Sequence, residues 1–211
     1  MFEVVSADSV MVTLGQSGHG RLEPRRLRLR SGGAFPPTHP TARLCLELLA
    51  EMFTTVPPAS VLDVGSGTGV LGLAAAALGA PLVLCLDIAA DAVRMTRENA
   101  RENGLVAQVR VVQGSTEGVR GRFDLVLANL PWEVHLEKGL EFSRLAFPSG
   151  ALILSGFRDD QEHRLRDIYQ QGGWSLIQRR LREFRHPELP PHLSFTWVAW
   201  LLRRTGRDLF P

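Results

Sequence analysis

Lysine is almost missing from this chain: 23 arginines stand against one lysine, Lys138. Its positive charge is therefore carried by planar guanidinium groups that never lose their proton. Net charge is only +2 and the pI about 8.9, a balance without the basic excess of a protein that tracks phosphates. Cysteine is also scarce. Cys45 and Cys85 each lie inside an apolar stretch, which predicts two buried small hydrophobes rather than a disulfide or a metal pair. The opening "MFEVVSADSV" has no basic flank leading into an apolar core, so no signal peptide is expected. Uninterrupted hydrophobic length is lacking too. Residues 70–86 carry no charge, but Gly79-Ala80-Pro81 divides them into a helix end and a strand start. No Ser-His-Asp or metal-ligating constellation is legible. His39, His135 and His192 are scattered and expected at the surface or at caps. These absences describe a cytoplasmic protein without a membrane span. No repeat or low-complexity tract is found, and oligomeric state is not written in the sequence.

What is present is ordinary in amount and ordered in arrangement. The 211 residues, 45% hydrophobic and 22% charged, suffice for one domain with a small appendage. From residue 60, apolar runs alternate with amphipathic ones. "SVLDV" (60–64), "PLVLCLD" (81–87), "AQVRVVQ" (107–113), "FDLVLAN" (123–129) and "ALILSGF" (151–157) read as strands. Helices are predicted over 70–78, 91–104, within 133–147 and over 159–173, with a turn at Pro148-Ser149-Gly150. The last two strands, "WSLIQRRLREF" and "FTWVAWLLRR", have only the Pro-rich "HPELPPH" between them. The pattern predicts an α/β fold: a doubly wound, mostly parallel sheet of seven strands ending in an antiparallel hairpin. Upstream, Thr38 or Thr41 is placed to cap a helix carrying Leu44, Leu48 and Leu49. Residues 1–33 form a β-rich extension in this reading, with Leu27 and Leu29 of "RRLRLR" turned inward, and 34–211 form the main domain.

The most informative stretch is "LDVGSGTGVLGLA" (62–74), a strand running into glycines and then a helix. Gly65, Gly67 and Gly69 let backbone N–H groups and a helix N-terminus approach a ligand. Asp87 ends the next strand, 22 residues after Gly65, where a carboxylate can accept hydrogen bonds from ribose hydroxyls. The spacing is G-x-G-x-G, with Val70 where a dinucleotide fold wants its third glycine. Asp63, two residues before the loop, would repel a pyrophosphate but suits a ligand carrying positive charge.

In these features the sequence resembles the class I S-adenosylmethionine-dependent methyltransferases, with their acidic residue before G-x-G-x-G and another ending the second strand. The resemblance covers roughly residues 34–204 and implies a Rossmann-like methyltransferase fold with S-adenosyl-L-methionine as cofactor and no metal. It also places Gly114 and Ser115 beside the adenine. "AFPPTHPTARLCLELL", "ENAREN" (98–103) and "LSGFRDDQ" (154–161) are similar to one branch, the ribosomal-protein methyltransferases acting on lysines and the N-terminus of a large-subunit protein. By resemblance, the cofactor contacts fall on Thr41, Asp63, Gly65, Ser66, Gly67, Asp87, Ser115 and Asn129. The family's second threonine falls on Ala42, so Thr41 or Thr38 has to serve. That family also carries an N-terminal substrate-recognition domain, for which the residues before Ala34 are too few.

"ANLPW" (128–132) points two ways. Its Ala-Asn matches the ribosomal enzymes. Its Pro-Trp looks more like the Asn-Pro-Pro-aromatic motif of methyltransferases acting on planar nitrogens of glutamine or nucleic-acid bases. There the Asn side chain and the next carbonyl accept from an NH₂ group while the aromatic packs on it, so Asn129 and Trp132 are the candidate catalytic residues. The alternative is that Asn129 caps its strand and Trp132 only packs. The expected function is an N-methyltransferase acting on a protein, at lysine or an N-terminal amine. The rivals are a planar-nitrogen enzyme, with nucleic acid the less favoured partner, and a non-catalytic cofactor-binding module. A lysine acceptor must lose its proton, which from a reference pKa near ~10.4 costs about 4–5 kcal/mol at neutral pH.

Overall fold

The computed structural model describes residues 2–6, 9–14, 25–31, 36–55, 57–184 and 195–204. His192, the Pro-rich loop and the glycines at 15, 18 and 20 lie outside them. Three strands open the chain: β1 (Phe2–Ser6), β2 (Ser9–Leu14) and β3 (Arg25–Arg30), an antiparallel sheet in that order. Leu27 and Leu29 are buried between exposed arginines, as the alternation requires. Helix α1 (Pro40–Thr55) follows, then β4 (Ser60–Val64), α2 (Val70–Ala77), β5 (Leu82–Asp87), α3 (Ala90–Glu102), β6 (Val109–Gln113) and β7 (Phe123–Asn129). The chain continues through α4 (Trp132–Leu145), β8 (Ala146–Arg158), α5 (Glu162–Gln171), β9 (Trp174–Phe184) and β10 (Phe195–Arg204).

The seven strands after α1 form one sheet in the order β6-β5-β4-β7-β8-β10-β9. The first five are parallel neighbours, and β10 runs antiparallel to both β8 and β9. The predicted fold class therefore holds, a Rossmann-like sheet closed by an edge hairpin. Strand alternation sends side chains to two cores. Val61, Leu125, Leu127 and Ile153 pack with α1 and α2 on one face, whereas Leu62, Val126, Ala128 and Leu154 pack with α4 and α5 on the other. The uncharged run 70–86 is buried inside this core as α2 and β5, with Gly79 (φ 115) ending the helix. Among the described residues, no helix is long and apolar enough to cross a membrane. Cys45 and Cys85 are free and buried, as expected.

Three local expectations need correction. Pro148-Ser149-Gly150 is not a turn before a strand. β8 already pairs at Ala146 with Phe123, and the next partners, Leu125 and Ala151, leave Phe147–Gly150 as an insertion within it. Neither Thr38 nor Thr41 caps α1. Pro40 occupies the first helical position, which needs no N–H, and the ring nitrogen Nδ1 of His39 accepts the N–H of Thr41 at 3.3 Å. Finally, α4 begins at Trp132, one residue before the span expected to contain it, so the "ANLPW" tryptophan is the first residue of the helix.

Candidate functional site

A cavity of about 1040 Å³ opens at the carboxyl ends of β4, β5, β6 and β7, the place where parallel sheets bind ligands. It sits at the upper end of the ~300–1,000 Å³ usual for small-molecule sites, which leaves room for a nucleoside-sized ligand and a second group. Thr41, Asp63, Gly65, Ser66, Gly67, Asp87, Ser115 and Asn129 all line it. The sheet thus brings together every expected cofactor residue. Thr38 is not among the lining residues.

Backbone hydrogen bonds shape the glycine loop. Gly65 and Ser66 donate their N–H groups to the Leu86 carbonyl at 2.8 and 3.1 Å. Gly67 donates to Asp87 Oδ2 and Ala89 to Asp87 Oδ1, both at 2.9 Å. Each Asp87 oxygen thus holds one protein N–H and keeps acceptor capacity for a hydroxyl pair. Gly65 adopts φ 68, and a Cβ there would lie 2.4 Å from Leu130 Cδ2, so the loop packs directly against the residue that follows β7, the strand beside β4.

Asp63 lies deeper, 2% exposed, and accepts the N–H of Gly72 at 2.8 Å. Burial pushes its carboxyl up to about 7; the Gly72 N–H opposes this and Asp87 adds to it. A cationic ligand in the cavity offsets the burial of this charge. At the other end, Lys138 reaches from α4 to Glu117, with Glu137 3.0 Å away. Its hydrogen bond to Glu117 holds the ammonium above its ordinary range. The single lysine of the chain therefore lines the cavity in a form without a nucleophilic lone pair.

The end near Asn129 has a different character. No hydrogen-bond partner satisfies Asn129 Oδ1, although that atom is buried. Asn129 as a residue lines the cavity, and a buried acceptor left without a partner calls for one. Leu130 donates its N–H to Ser155 O at 3.0 Å. Its carbonyl oxygen would lie 2.0 Å from a Cβ on Gly156, and as a hydrogen-bond acceptor it favours the protonated His135 ring, against the larger effect of burial. Trp132 is not among the lining residues; it packs against the α4–α5 core, with the Arg164 guanidinium 5.7 Å from its ring centre. The aromatics that do line the cavity are Phe142 of α4 and Trp197 of β10, the latter edge-on to His39 at 5.1 Å. Sequence reading missed Trp197, because nothing local marks which strand residue the antiparallel hairpin returns to the site.

Of the three described histidines, His163 sits on the exposed face of α5, and the other two are each held in one tautomer. His39 Nδ1 accepts the Thr41 N–H and lies 2.7 Å from the Thr41 hydroxyl, which leaves the neutral ring's proton on Nε2. His135 is buried, not at the surface or a cap as expected. Its Nε2–H donates to Ser155 O at 2.9 Å and its Nδ1 lies 3.0 Å from the Tyr169 hydroxyl. Burial depresses its pKa to about 4. Neither ring offers a free basic nitrogen to the cavity.

Asp63 and His135 have opposite pH signatures. His135 is depressed from 6.5 to about 4, so its stability is present above the unfolded pKa and lost as pH falls toward 4. Asp63 is raised from 3.8 to about 7, so its contribution is present at low pH and lost as pH rises through 7. Each is worth roughly 3–4 kcal/mol over its window, and the two nearly cancel between pH 4 and 6.5. The Asp63→Asn variant removes only the second. Urea midpoints should show its stability rising by about 4 kcal/mol relative to the unmodified protein between pH 4 and 7. A constant difference would mean that Asp63 is ionised normally in the fold.

The sequence profile of the family "Ribosomal protein L11 methyltransferase (PrmA)" matches residues 18–183. A ribosomal protein L11 methyltransferase from Syntrophotalea carbinolica is 43% identical over 149 residues, covering 70% of this chain and 48% of that protein. One from Thermotoga neapolitana is 36% identical, covering 73% and 58%. The chain spans about half the length of the curated relatives it matches. Among solved structures, a ribosomal protein L11 methylase from Lactobacillus delbrueckii subsp. bulgaricus superposes with a TM-score of 0.69 at 27% identity, over 84% of each chain. Magnesium protoporphyrin IX methyltransferase from Synechocystis, solved with bound SAM, shares the fold at a TM-score of 0.62 and 22% identity.

Proposed function

The chain belongs to the ribosomal protein L11 methyltransferase (PrmA) family, and from that premise we propose that it is an S-adenosylmethionine-dependent methyltransferase whose acceptor is a protein amine. The cofactor's ribose would be held by Asp87, its adenine beside Gly114 and Ser115, and its cationic methionine end near Asp63, Thr41 and the glycine loop. When bound, the cofactor supplies an activated methyl group. The residues of the chain hold it, exclude water and align the acceptor nitrogen for in-line attack. In this reading residues 34–211 form the methyltransferase domain and 1–33 an extension.

The observation that carries the amine reading is the orphaned Asn129 Oδ1 without an accompanying planar clamp. A planar amide or base needs a second acceptor from the Leu130 carbonyl and an aromatic plate from Trp132. That carbonyl instead abuts Gly156 and His135, and Trp132 lies outside the cavity lining. One acceptor, Asn129, in a cavity that Trp197 also lines suits a neutral amine, which needs one N–H held while its lone pair stays free to attack.

With neither His39 nor His135 offering a basic nitrogen to the cavity, the amine must arrive deprotonated. For a lysine peptide, log kcat/KM is expected to rise with unit slope from pH 7 toward the lysine pKa near ~10.4. A flat profile would favour an amide acceptor. Trp132→Ala is expected to leave kcat/KM within about threefold; a hundredfold loss would restore the planar-nitrogen reading. The decisive experiment is calorimetry with S-adenosylmethionine, followed by tritiated-methyl transfer into fractionated lysate with protease and nuclease controls. Failure to bind the cofactor, or label that survives protease but not nuclease, would sink the proposal.

A further inference from the structure

Helix α3 and its C-cap carry three polar side chains on one stripe, Thr96, Asn99 and the cap residue Asn103, all turned toward the interior or toward β3. The Thr96 hydroxyl donates to the Gly67 carbonyl at 3.0 Å. Asn99 is fully buried. Its Nδ2 donates to the Thr68 carbonyl at 2.8 Å and to the Arg30 carbonyl at 3.0 Å, while its Oδ1 accepts the Arg30 N–H at 2.9 Å. One turn on, Asn103 repeats the second pattern with Arg28: Oδ1 accepts the N–H at 2.9 Å and Nδ2 donates to the carbonyl at 2.7 Å. Glu102, between them, meets the guanidinium groups of Arg30 and Arg28 at 2.9 and 3.5 Å. The edge of β3 that does not pair with β2 thus finds its hydrogen bonds in two helix side chains, spaced as alternate residues of a neighbouring strand would be.

Asn99 bonds to two separate pieces of the molecule, the N-terminal sheet and the glycine loop. We infer that β3 is a strut for that loop, so that docking of the N-terminal sheet on α3 and cofactor binding are coupled, with Asn99 as the positioning residue. The coupling rests on the cofactor reading above. Its cause is the cost of an unpaired buried amide. With β3 docked, both Asn99 donors and its acceptor are satisfied and the Thr68 carbonyl is held. If β3 lifts away, Oδ1 and one N–H are orphaned, the side chain turns to recover partners, and the loop loses an anchor just before α2. Coupling between two binding equilibria is reciprocal, so a ligand that fixes the loop must also stabilise docked β3.

The test is amide hydrogen exchange on the full chain with S-adenosylhomocysteine as the probe, saturation being verified by calorimetry. Exchange at the Arg28 and Arg30 amides is expected to slow at least fivefold at saturation. In Asn99→Ala, the Arg28 amide, still bonded to Asn103, is expected to stop responding, with Kd about tenfold weaker. Asn103→Ala removes the two bonds to Arg28 of β3 and one to the Asn99 carbonyl, leaves the Asn99 side chain and the glycine loop untouched, and is expected to weaken binding three- to fivefold, with kcat at saturating cofactor unchanged. Leu165→Ala, a core truncation in α5, controls for general destabilisation and should leave Kd unchanged. Unaltered Arg28 and Arg30 exchange at proven saturation, or an Asn103→Ala Kd equal to that of the unmodified protein, would overturn the coupling. Absence of any binding heat would overturn the cofactor reading and the coupling with it, an outcome calorimetry distinguishes from the others.

Discussion

Replacing Asp87 with alanine is expected to weaken S-adenosylhomocysteine binding by about a hundredfold or more. The carboxylate works in two directions at once. Inward, its two oxygens hold the Gly67 and Ala89 N–H groups at 2.9 Å, and so set the path of the glycine loop. Outward, it faces the cavity, where the ribose of the proposed cofactor needs acceptors. Hydrogen bonds to a charged partner are worth about 1.5–3 kcal/mol each, and a hundredfold in Kd is about 2.7 kcal/mol, so loss of the ribose contacts alone reaches that figure. Loosening of the loop adds to it. Asp87→Asn keeps one oxygen and should fall between the two. Titration calorimetry checks the series; an unchanged Kd in Asp87→Ala would remove the ribose from this position.

Gly156→Ala is expected to be the most damaging single methyl group in the chain, costing about 3–5 kcal/mol of stability and at least a hundredfold in kcat. Gly156 has φ 98, which an L-residue adopts only under strain. A Cβ there would stand 2.0 Å from the Leu130 oxygen, 2.6 Å from its carbon and 2.8 Å from its nitrogen. These are backbone atoms, not the end of a flexible side chain, so the peptide must move by more than an ångström. Leu130 cannot move alone. Its N–H is tied to Ser155, its side chain lies against Gly65, and the residue before it is Asn129. The methyl therefore displaces the acceptor wall and presses on the cofactor loop together. Gly118→Ala is the matched control: nothing lies within 4 Å of a Cβ there, and it should be near neutral in both assays. Urea denaturation and single-turnover methyl transfer measure the two quantities. A Gly156→Ala protein with normal stability and rate would show that the "LSGF" glycine has no structural task.

Much of the chain is legible locally. The strands at 60–64, 123–129, 174–184 and 195–204 have the limits that alternation and flanking turn residues imply. α2 ends at Gly79 and α3 at Asn103-Gly104, where the residue types require it. The loop at 65–69 and Asp87 announce a ligand site because only a few sequences put glycines between a strand and a helix with an acid at the next strand end. The errors have one source. Threonine's usual preference points to Thr38 or Thr41 as the cap of α1, whereas Pro40 at the first helical position and the His39 ring accepting the Thr41 N–H take that place. The turn at Pro148–Gly150 was read from its composition, whereas pairing with β7 keeps those residues within β8. His135 looks like a surface residue by type and is a buried bridge between Ser155 and Tyr169.

The sequence by itself determined the order and class of the elements, the glycine loop and the acid that serves it, because those depend on backbone conformation and periodicity within a few residues. It left open what "ANLPW" faces. The tertiary structure decided that. It put Trp132 in the first turn of α4, left Asn129 Oδ1 buried and unpaired in a residue that lines the cavity, and brought Trp197 from 68 residues away into the same lining. It likewise set Asn99 and Asn103 against a strand some 70 residues earlier. Such partnerships are chosen by the packing of the sheet and by the cost of leaving buried polar groups unpaired. Both are properties of the assembled core, and no local window of residues contains them.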